Sequence, residues 1–407
     1  MIIRKVTGEE LLEAAKISTV AFEAPNPAID NDKEQYLKNI MEEAQASTKD
    51  GGNLRYATFD DNDKMMASMV VIPFTAYFDG KQVPMTGVGD VSTLPQYRRQ
   101  GAIRACFASA LEDMYKNGNV FSYLYPFSYK FYRKFGYEQS AQTVIWRVAL
   151  RVLPKTGYDG TIEMYEPGAD MSGFNKAYES FAKDINFMLK RDDSLWKRRV
   201  TGFSPYSTNQ WSFVWRDDNN IPRGYFIYKL EIINGERTMV VRDLGFDSPD
   251  ALCSMLAFLH TFASRYDYAQ IPLPEHIPLD GIIGEPCFGH ISRTVEYTGM
   301  LRVINVKKAL RNARYDGSGR FVISVTDENI DNNNGFFAVQ FTPDGAEVTI
   351  TDEAPDIETT IQGLSRLISG SITLEQAQYY SGITINSNTE TLKKAFYKKP
   401  LWINDYF

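Results

Sequence analysis

Between Thr86 and Met114 the spacing of apolar positions changes period, and the change marks the most informative stretch of the chain. The residues TGVGDVSTL, Thr86 to Leu94, carry β-branched Val88, Val91 and Thr93 and predict a strand. From Ile103 onward the apolar residues are Ile103, Cys106, Phe107, Ala110, Leu111 and Met114, the three- and four-residue spacing of one helix face. Between the two patterns lies PQYRRQGAIR, so Arg98, Arg99 and Gly101 fall on a strand-to-helix turn. Such a turn aims unpaired backbone N–H groups and the positive end of a helix dipole at one point, which suits an anion. A glycine there lets the backbone approach a phosphate, and arginines add charge-assisted bonds. Either the turn holds a phosphate, or its arginines are solvated charges at a helix start; one glycine with basic neighbours does not decide.

The same reading extends along the chain. In the first stretch, Glu9 to Phe22 has helical spacing, Leu54 to Phe59 and Met66 to Ile72 are strand-like, Asp79-Gly80 signals a hairpin, and VFSYLYPFS predicts a further strand. This is an α/β layout with an antiparallel front. From Arg151 to His290 a second α/β unit follows. It has a hairpin around Asn234-Gly235 and a helix in SPDALCSMLAFLHTFASRY, with Ser248 as N-cap and Pro249 at the first position. No basic glycine turn precedes that helix, so no phosphate cradle is expected there, and His260 reads as a helix-packing residue. From about Arg293 the strand-like FVISVTD, FFAVQFTP and AEVTIT, then the helix-like TTIQGLSRLISG and TLEQAQYYSG, predict an α+β module. The expected units are residues 1–150, 151–290 and 291–407.

Composition narrows the function classes. A chain of 407 residues that is 43% hydrophobic, 13% aromatic and 23% charged is a globular protein of several domains rather than a disordered one. A net charge of −7 argues against a nucleic-acid binder and is compatible with a cationic substrate. Cys106, Cys253 and Cys287 form no C-x-x-C pair, which points to a reduced compartment, and His260, His276 and His290 lack metal-ligand spacing, so no metal is expected. The opening MIIRKVTGEE becomes charged too soon for a signal peptide, and the apolar runs fall short of the ~18 residues of a membrane span. A cytoplasmic protein with no membrane partner is the expectation.

A second string, FYRKFGYE from Phe131 to Glu138, completes a recognisable pair. Together with VSTLPQYRRQGAIR it resembles GNAT-fold acetyltransferases, and in particular the enhanced intracellular survival (Eis) family, whose three-part order also matches the three units over essentially the whole chain. The resemblance implies an α/β architecture of tandem GNAT-like domains, the second degenerate, followed by an α+β sterol-carrier-like domain. The GNAT turn reads Gln or Arg, two residues, Gly, one residue, then Gly or Ala; Arg98 to Ala102 conform and Ile103 departs at the last position.

The resemblance also assigns a site. Arg98, Arg99 and backbone near Gly101 and Ala102 would bind the pyrophosphate of acetyl-CoA, with Val91 and Thr93 presenting backbone to its pantetheine arm. Tyr132 would be the general acid that protonates the coenzyme A sulfur, and the α-carboxylate of Phe407, ending WINDYF, the general base. Trp402, Tyr406 and Phe407 would anchor that terminus, with Asp405 free to help hold a cationic substrate. Without the resemblance, Tyr132 reads as a core aromatic and the terminal aromatics as part of the tail module's core. Asp90 stands where mycobacterial members carry an aromatic; it either faces a substrate ammonium or is satisfied by local backbone. The implied acceptor is a primary amine on a cationic small molecule, aminoglycoside-like or polyamine, or lysine, and the implied assembly is a homo-oligomer, a hexamer in the family. The alternative is an acyl-CoA-sensing or lipid-binding protein that uses the sterol-carrier-like domain.

Overall fold

A computed structural model describes residues 1–48, 52–155, 160–283 and 289–407, without the side chains of 30 and 43–48; Cys287 lies outside the described residues. The strands form three sheets of seven, seven and five. Strand β1 (Ile2–Lys5), helix α1 (Glu10–Ala21), then β2 (Leu54–Phe59), β3 (Met65–Phe78) and β4 (Lys81–Thr93) build the antiparallel front of the first. The turn between β3 and β4 has both Asp79 and Gly80 at positive φ, 51° and 80°, the turn whose twist matches paired strands.

Helix α2 (Ala102–Lys116) buries the face its spacing predicts, Ile103, Cys106, Phe107, Ala110, Leu111 and Met114, against one side of this sheet. Helix α1 covers the other side, where Ala14 and Ile17 meet Ala57, Phe59 and Met65. Strand β5 (Phe121–Leu124), helix α3 (Tyr129–Arg133) and β6 (Glu138–Gln139) follow. The predicted VFSYLYPFS strand thus pairs over four residues only.

The second sheet contains β7 (Thr143–Ala149), β8 (Thr161–Met164), β9 (Gln210–Arg216), β10 (Pro222–Ile233), β11 (Glu236–Phe246), β12 (Tyr268–Pro274) and β13 (Ile291–Glu296). Helix α4 (Ser172–Ala182) and helix α5 (Pro249–His260) pack on it, and the Ser248 side chain accepts from the Ala251 N–H as an N-cap. His260 Nδ1 lies 2.9 Å from the Leu150 carbonyl, an internal packing contact.

Strand β14 (Met300–Val303) then returns to the first sheet, between β5 and β6. The third sheet comprises β15 (Gly319–Thr326), β16 (Gly335–Thr342), β17 (Gly345–Ile350), β18 (Ile357–Thr360) and β19 (Ile383–Ile385), covered by helix α6 (Val306–Asn312) and helix α7 (Ile361–Ser369). The predicted TLEQAQYYSG helix is a single turn, Leu374–Ala377.

The sheets do not follow the expected boundaries at 150 and 290. Strand β7 pairs with β12 and β13 in the second sheet, while β14 closes the outer edge of β5 in the first. Each exchange satisfies backbone groups that would otherwise sit on an open edge. No described helix is long and apolar enough to cross a membrane.

Candidate active site

The arginine-glycine turn has the backbone its sequence requires. Gly101 caps α2 at φ 86° and Arg99 precedes it at φ 64°, both in the left-handed region. A side-chain carbon at Gly101 would meet nothing within 4 Å, so conformation rather than crowding demands glycine, and the space above the turn is open. Among the described residues no side chain caps the first turn of α2, which leaves its N–H groups available. A groove of about 850 Å³ runs past this turn, lined by Phe22, Val91, Thr93, Arg98, Arg99, Gly101, Ala102, Arg104, Phe127, Phe131, Lys134 and Phe135. Among the described residues its four cations, Arg98, Arg99, Arg104 and Lys134, enter no ion pair.

The sheet opens beside the groove. Parallel pairing of β4 with β5 stops at Val88 opposite Leu124, yet β4 continues to Thr93, so the backbone of Gly89 to Thr93 is unpaired on that side. The structure therefore brings together all six residues expected at the donor, Val91, Thr93, Arg98, Arg99, Gly101 and Ala102. Tyr132 stands behind the groove's lining rather than in it. It is 3% exposed, with its ring edge-on to Phe127 at 5.3 Å and to Phe107 at 6.1 Å. Burial pushes its hydroxyl well above the ordinary tyrosine range, which keeps the proton on.

A β-bulge bends β4 at the same place. Val70 faces Gly89 and Ser68 faces Ser92, so Asp90 and Val91 oppose the single residue Met69, and Asp90 takes φ 48°. Its carboxylate accepts from Ser18 on α1 and lies 2.5 Å from Arg55 Nη1 on β2. Its charge is answered by an arginine two strands away rather than by local backbone, and its side chain also lines a second cavity on the α1 side of the sheet.

The chain terminus reaches this region from the third unit. The Phe407 ring sits 4.8 Å from Phe74 and 5.4 Å from Tyr125, directly over Gly87. A side-chain carbon at Gly87 would overlap that ring and lie 2.7 Å from Phe74. The Phe407 carboxyl end lies over Gly89, where an added carbon would be 3.7 Å from its oxygen. Among the described residues no cation pairs with this carboxylate.

What holds the terminus there is a buried polar network. Trp402, fully buried, donates from Nε1 to Thr143 Oγ1 at 2.9 Å. Asp405 lies 3.0 Å from Arg191 and 3.2 Å from Arg199, and Arg191 also pairs with Asp243 at 2.5 Å while stacking on Tyr178 and Trp196. Asn404 donates to Asp243 at 2.7 Å, Tyr125 donates to the Asp405 carbonyl at 2.7 Å, and Arg199 donates to the Asn404 carbonyl. Burial opposes charge on Asp405, but Arg191 and Arg199 outweigh it and hold the carboxyl below the usual range. Burial likewise opposes charge on Arg191, and Asp243 and Asp405 keep it protonated.

Two expectations about the tail are corrected by this network. Asp405 is consumed by two arginines and cannot hold a substrate cation. Tyr406 is 72% exposed and leans on Tyr125 from outside, so the anchors are Trp402, Asp405 and Phe407. Arg191, Asp243 and Tyr125 were missed because nothing in their local sequence distinguishes them; they meet the tail only in the fold. Cys106 is buried under α2 with its thiol pushed up to about 12 by burial, so it packs rather than reacts.

With this geometry in view, similarity to known proteins is informative. Residues 2–140 match an acetyltransferase (GNAT) domain, residues 188–303 match another acetyltransferase (GNAT) domain, and residues 306–404 match a sterol carrier protein domain. The chain is 24% identical over 319 residues to an uncharacterized N-acetyltransferase of Streptomyces griseus, covering 72% of this chain and 73% of that one. Its fold is similar to a probable N-acyltransferase of Enterococcus faecalis, with a TM-score of 0.85, 18% identity and 100% and 99% of the two chains covered. It is also similar to Eis1 of Mycobacterium abscessus, with a TM-score of 0.81, 20% identity and both chains covered in full.

The chain is thus an α/β protein of two GNAT domains and a carboxy-terminal sterol-carrier-like domain. It is an acetyltransferase. GNAT-fold acetyltransferases use acetyl-CoA, and the residues here fit that donor: open left-handed backbone at Gly101, four cations that enter no ion pair among the described residues, and a strand splay beyond the β4–β5 pairing.

Proposed function

We propose that this protein is an Eis-type N-acetyltransferase that moves an acetyl group from acetyl-CoA to a primary amine of a cationic small molecule, aminoglycoside-like or polyamine, or of lysine. The observation that carries the proposal is the Phe407 carboxyl end lying over Gly89, beside the strand splay and without a cationic partner among the described residues. Such a group beside the groove of an acetyltransferase has a chemical use. The amine must shed a proton to expose its lone pair, and the departing sulfur must gain one.

In this reading Arg98, Arg99 and the first N–H groups of α2 hold the donor's pyrophosphate, while the free backbone of Val91 and Thr93 aligns the arm that leads to the thioester. The Phe407 carboxylate holds and orients the amine and receives its proton as the new C–N bond forms and the C–S bond breaks. A carboxylate of pKa ~3.5 is a weak base toward an ammonium of ~10, so orientation in a partly dry site is the larger part of its contribution. Tyr132, kept protonated by burial, supplies the proton for the leaving sulfur. The same reading makes the protein a cytoplasmic homo-oligomer, a hexamer. The lipid-binding alternative is disfavoured, because Phe321, Phe341, Ile357 and Leu364 belong to one packed core of the third unit with no exposed surface.

The test is thiol release from acetyl-CoA with a panel of primary amines, run on the purified protein and on a protein amidated at Phe407 by ligation. Amine-dependent release by the first and a loss of at least about tenfold in the second, with acetyl-CoA affinity retained, is the expected result. No release with any amine overturns the enzymatic reading, and full turnover after amidation removes Phe407 as the base.

A further inference from the structure

On the α1 side of the first sheet a second cavity, about 520 Å³, opens between α1, the segment containing Tyr36 and Ile40, and the strands β2, β3 and β4. It adjoins both parts of the proposed site. Phe22 lines it and the donor groove alike. Val70 lines it too, and Val70 is the cross-strand partner of Gly89, over which the Phe407 carboxyl lies. An acceptor in this cavity would therefore have its amine near the terminal carboxylate.

The charges among the described lining residues are few. Among the described lining residues only Arg55 and Asp90 are charged, and they pair with each other at 2.5 Å. The remaining polar lining, such as Ser18, Asn26 and Tyr36, is neutral. Among the described lining residues a polyamine would find a single carboxylate, already paired with Arg55, for its several ammonium groups. Arg55 offers the opposite. Its bonds to Asp90 and to Ser68 at 3.1 Å both leave from Nη1, on a guanidinium with five donors. Its side chain is 19% exposed, on the cavity wall. Elsewhere in this protein Arg191 holds Asp243 and Asp405 at once, so one arginine serving two carboxylates is a geometry this fold already uses.

Resting on the acetyltransferase reading above, we infer that the acceptor carries a carboxylate as well as its amine, and that Arg55, steadied by Asp90, receives that carboxylate. The acceptor is then an amino acid or a short peptide, and of the acceptors proposed above lysine fits while polyamines do not. Arg55 determines specificity and takes no part in proton transfer.

The experiment compares amine acids with their decarboxylated counterparts, L-lysine against cadaverine and L-phenylalanine against phenethylamine, as ratios of kcat/KM. The wild-type protein is expected to favour at least one acid by roughly ten- to hundredfold, the worth of a charge-assisted bond to a carboxylate. In Arg55→Ala that ratio is expected to fall to about one. The ratio cancels any loss common to both acceptors, so a merely structural role for Arg55 would lower both values and leave the ratio intact. Should Arg55→Ala fail to fold, Arg55→Lys, which keeps charge but loses the planar fork, is expected to lower the ratio partway, and the wild-type ratios need no variant. Equal or reversed wild-type preference overturns the inference while leaving the enzyme reading standing, as does acetylation of other amines such as kanamycin with none of these four. Failure to acetylate any amine overturns both.

Discussion

Replacing Asp405 by asparagine removes one charge from the network that docks the tail and changes almost nothing in shape. The four ionised groups Arg191, Arg199, Asp243 and Asp405 are formally neutral together, and the substitution leaves them with one uncompensated positive charge at a site where Arg191 and Asp405 are 0% and 2% exposed. At 3.0 Å and an effective dielectric of about 20, the lost attraction to Arg191 is about 5 kcal/mol, in line with the roughly 3–5 kcal/mol that breaking one side of a buried pair costs. The asparagine amide oxygen recovers about 1 kcal/mol as a neutral acceptor, so a net loss of about 2–4 kcal/mol is expected. Two measurements share it. Urea denaturation reads the part that is lost globally. Turnover reads the part lost when the tail leaves its place in a protein that stays folded, and a decrease of at least about tenfold follows if undocking costs more than about 1.4 kcal/mol. Acetyl-CoA affinity by calorimetry is the control, because no residue of the network lines the donor groove. Stability within about 0.5 kcal/mol of wild type together with unchanged turnover would refute the reasoning, since neither the docking energy nor its link to chemistry would then exist.

Other substitutions test other parts of the site. Arg98→Ala removes a charge-assisted contact worth about 1.5–3 kcal/mol, so calorimetry should find acetyl-CoA bound roughly ten- to hundredfold more weakly. Gly87→Ala would push a methyl into the Phe407 ring, so turnover should drop at least about tenfold with donor affinity retained, at an overpacking cost of about 1–3 kcal/mol. The pH dependence has a definite sign: the folded-state pKa of Asp405 is depressed, so its contribution is complete above the unfolded value of ~3.9 and is lost as pH falls through the folded value. Denaturation midpoints measured from pH 6 to pH 3 should decline below about pH 4, and less steeply in Asp405→Asn.

What could be read from the sequence was local. The hairpins at Asp79-Gly80 and Asn234-Gly235, the Ser248 cap and the apolar face of α2 are each fixed by a few neighbouring residues whose backbone preferences agree with the fold. The donor turn was legible for the same reason, since one glycine and its flanking arginines carry it. Strand β14 was not legible: all four of its residues are buried on a strand too short to alternate, and one of them is Arg302, whose partner Asp327 lies in the third unit. Nor was the pairing of Asp90 with Arg55, because a bulge on β4 decides where that carboxylate turns and a strand two places across the sheet supplies its partner. Asp90 suggested chemistry by its charge, but only register could say that Arg55 answers it.

The return of β14 to the first sheet has a consequence for how the protein is made. On the ribosome the strands β1 to β5 emerge early, yet the neighbour of β5 is Met300–Val303, which is translated only after the entire second unit. Until then the outer edge of β5 is an open row of backbone donors and acceptors, and Tyr123 and Leu124 await partners at Leu301 and Met300. Completion of the donor domain is therefore a late event of high contact order, and the nascent amino-terminal unit spends most of its synthesis time with an edge that a chaperone, or another chain, could pair with.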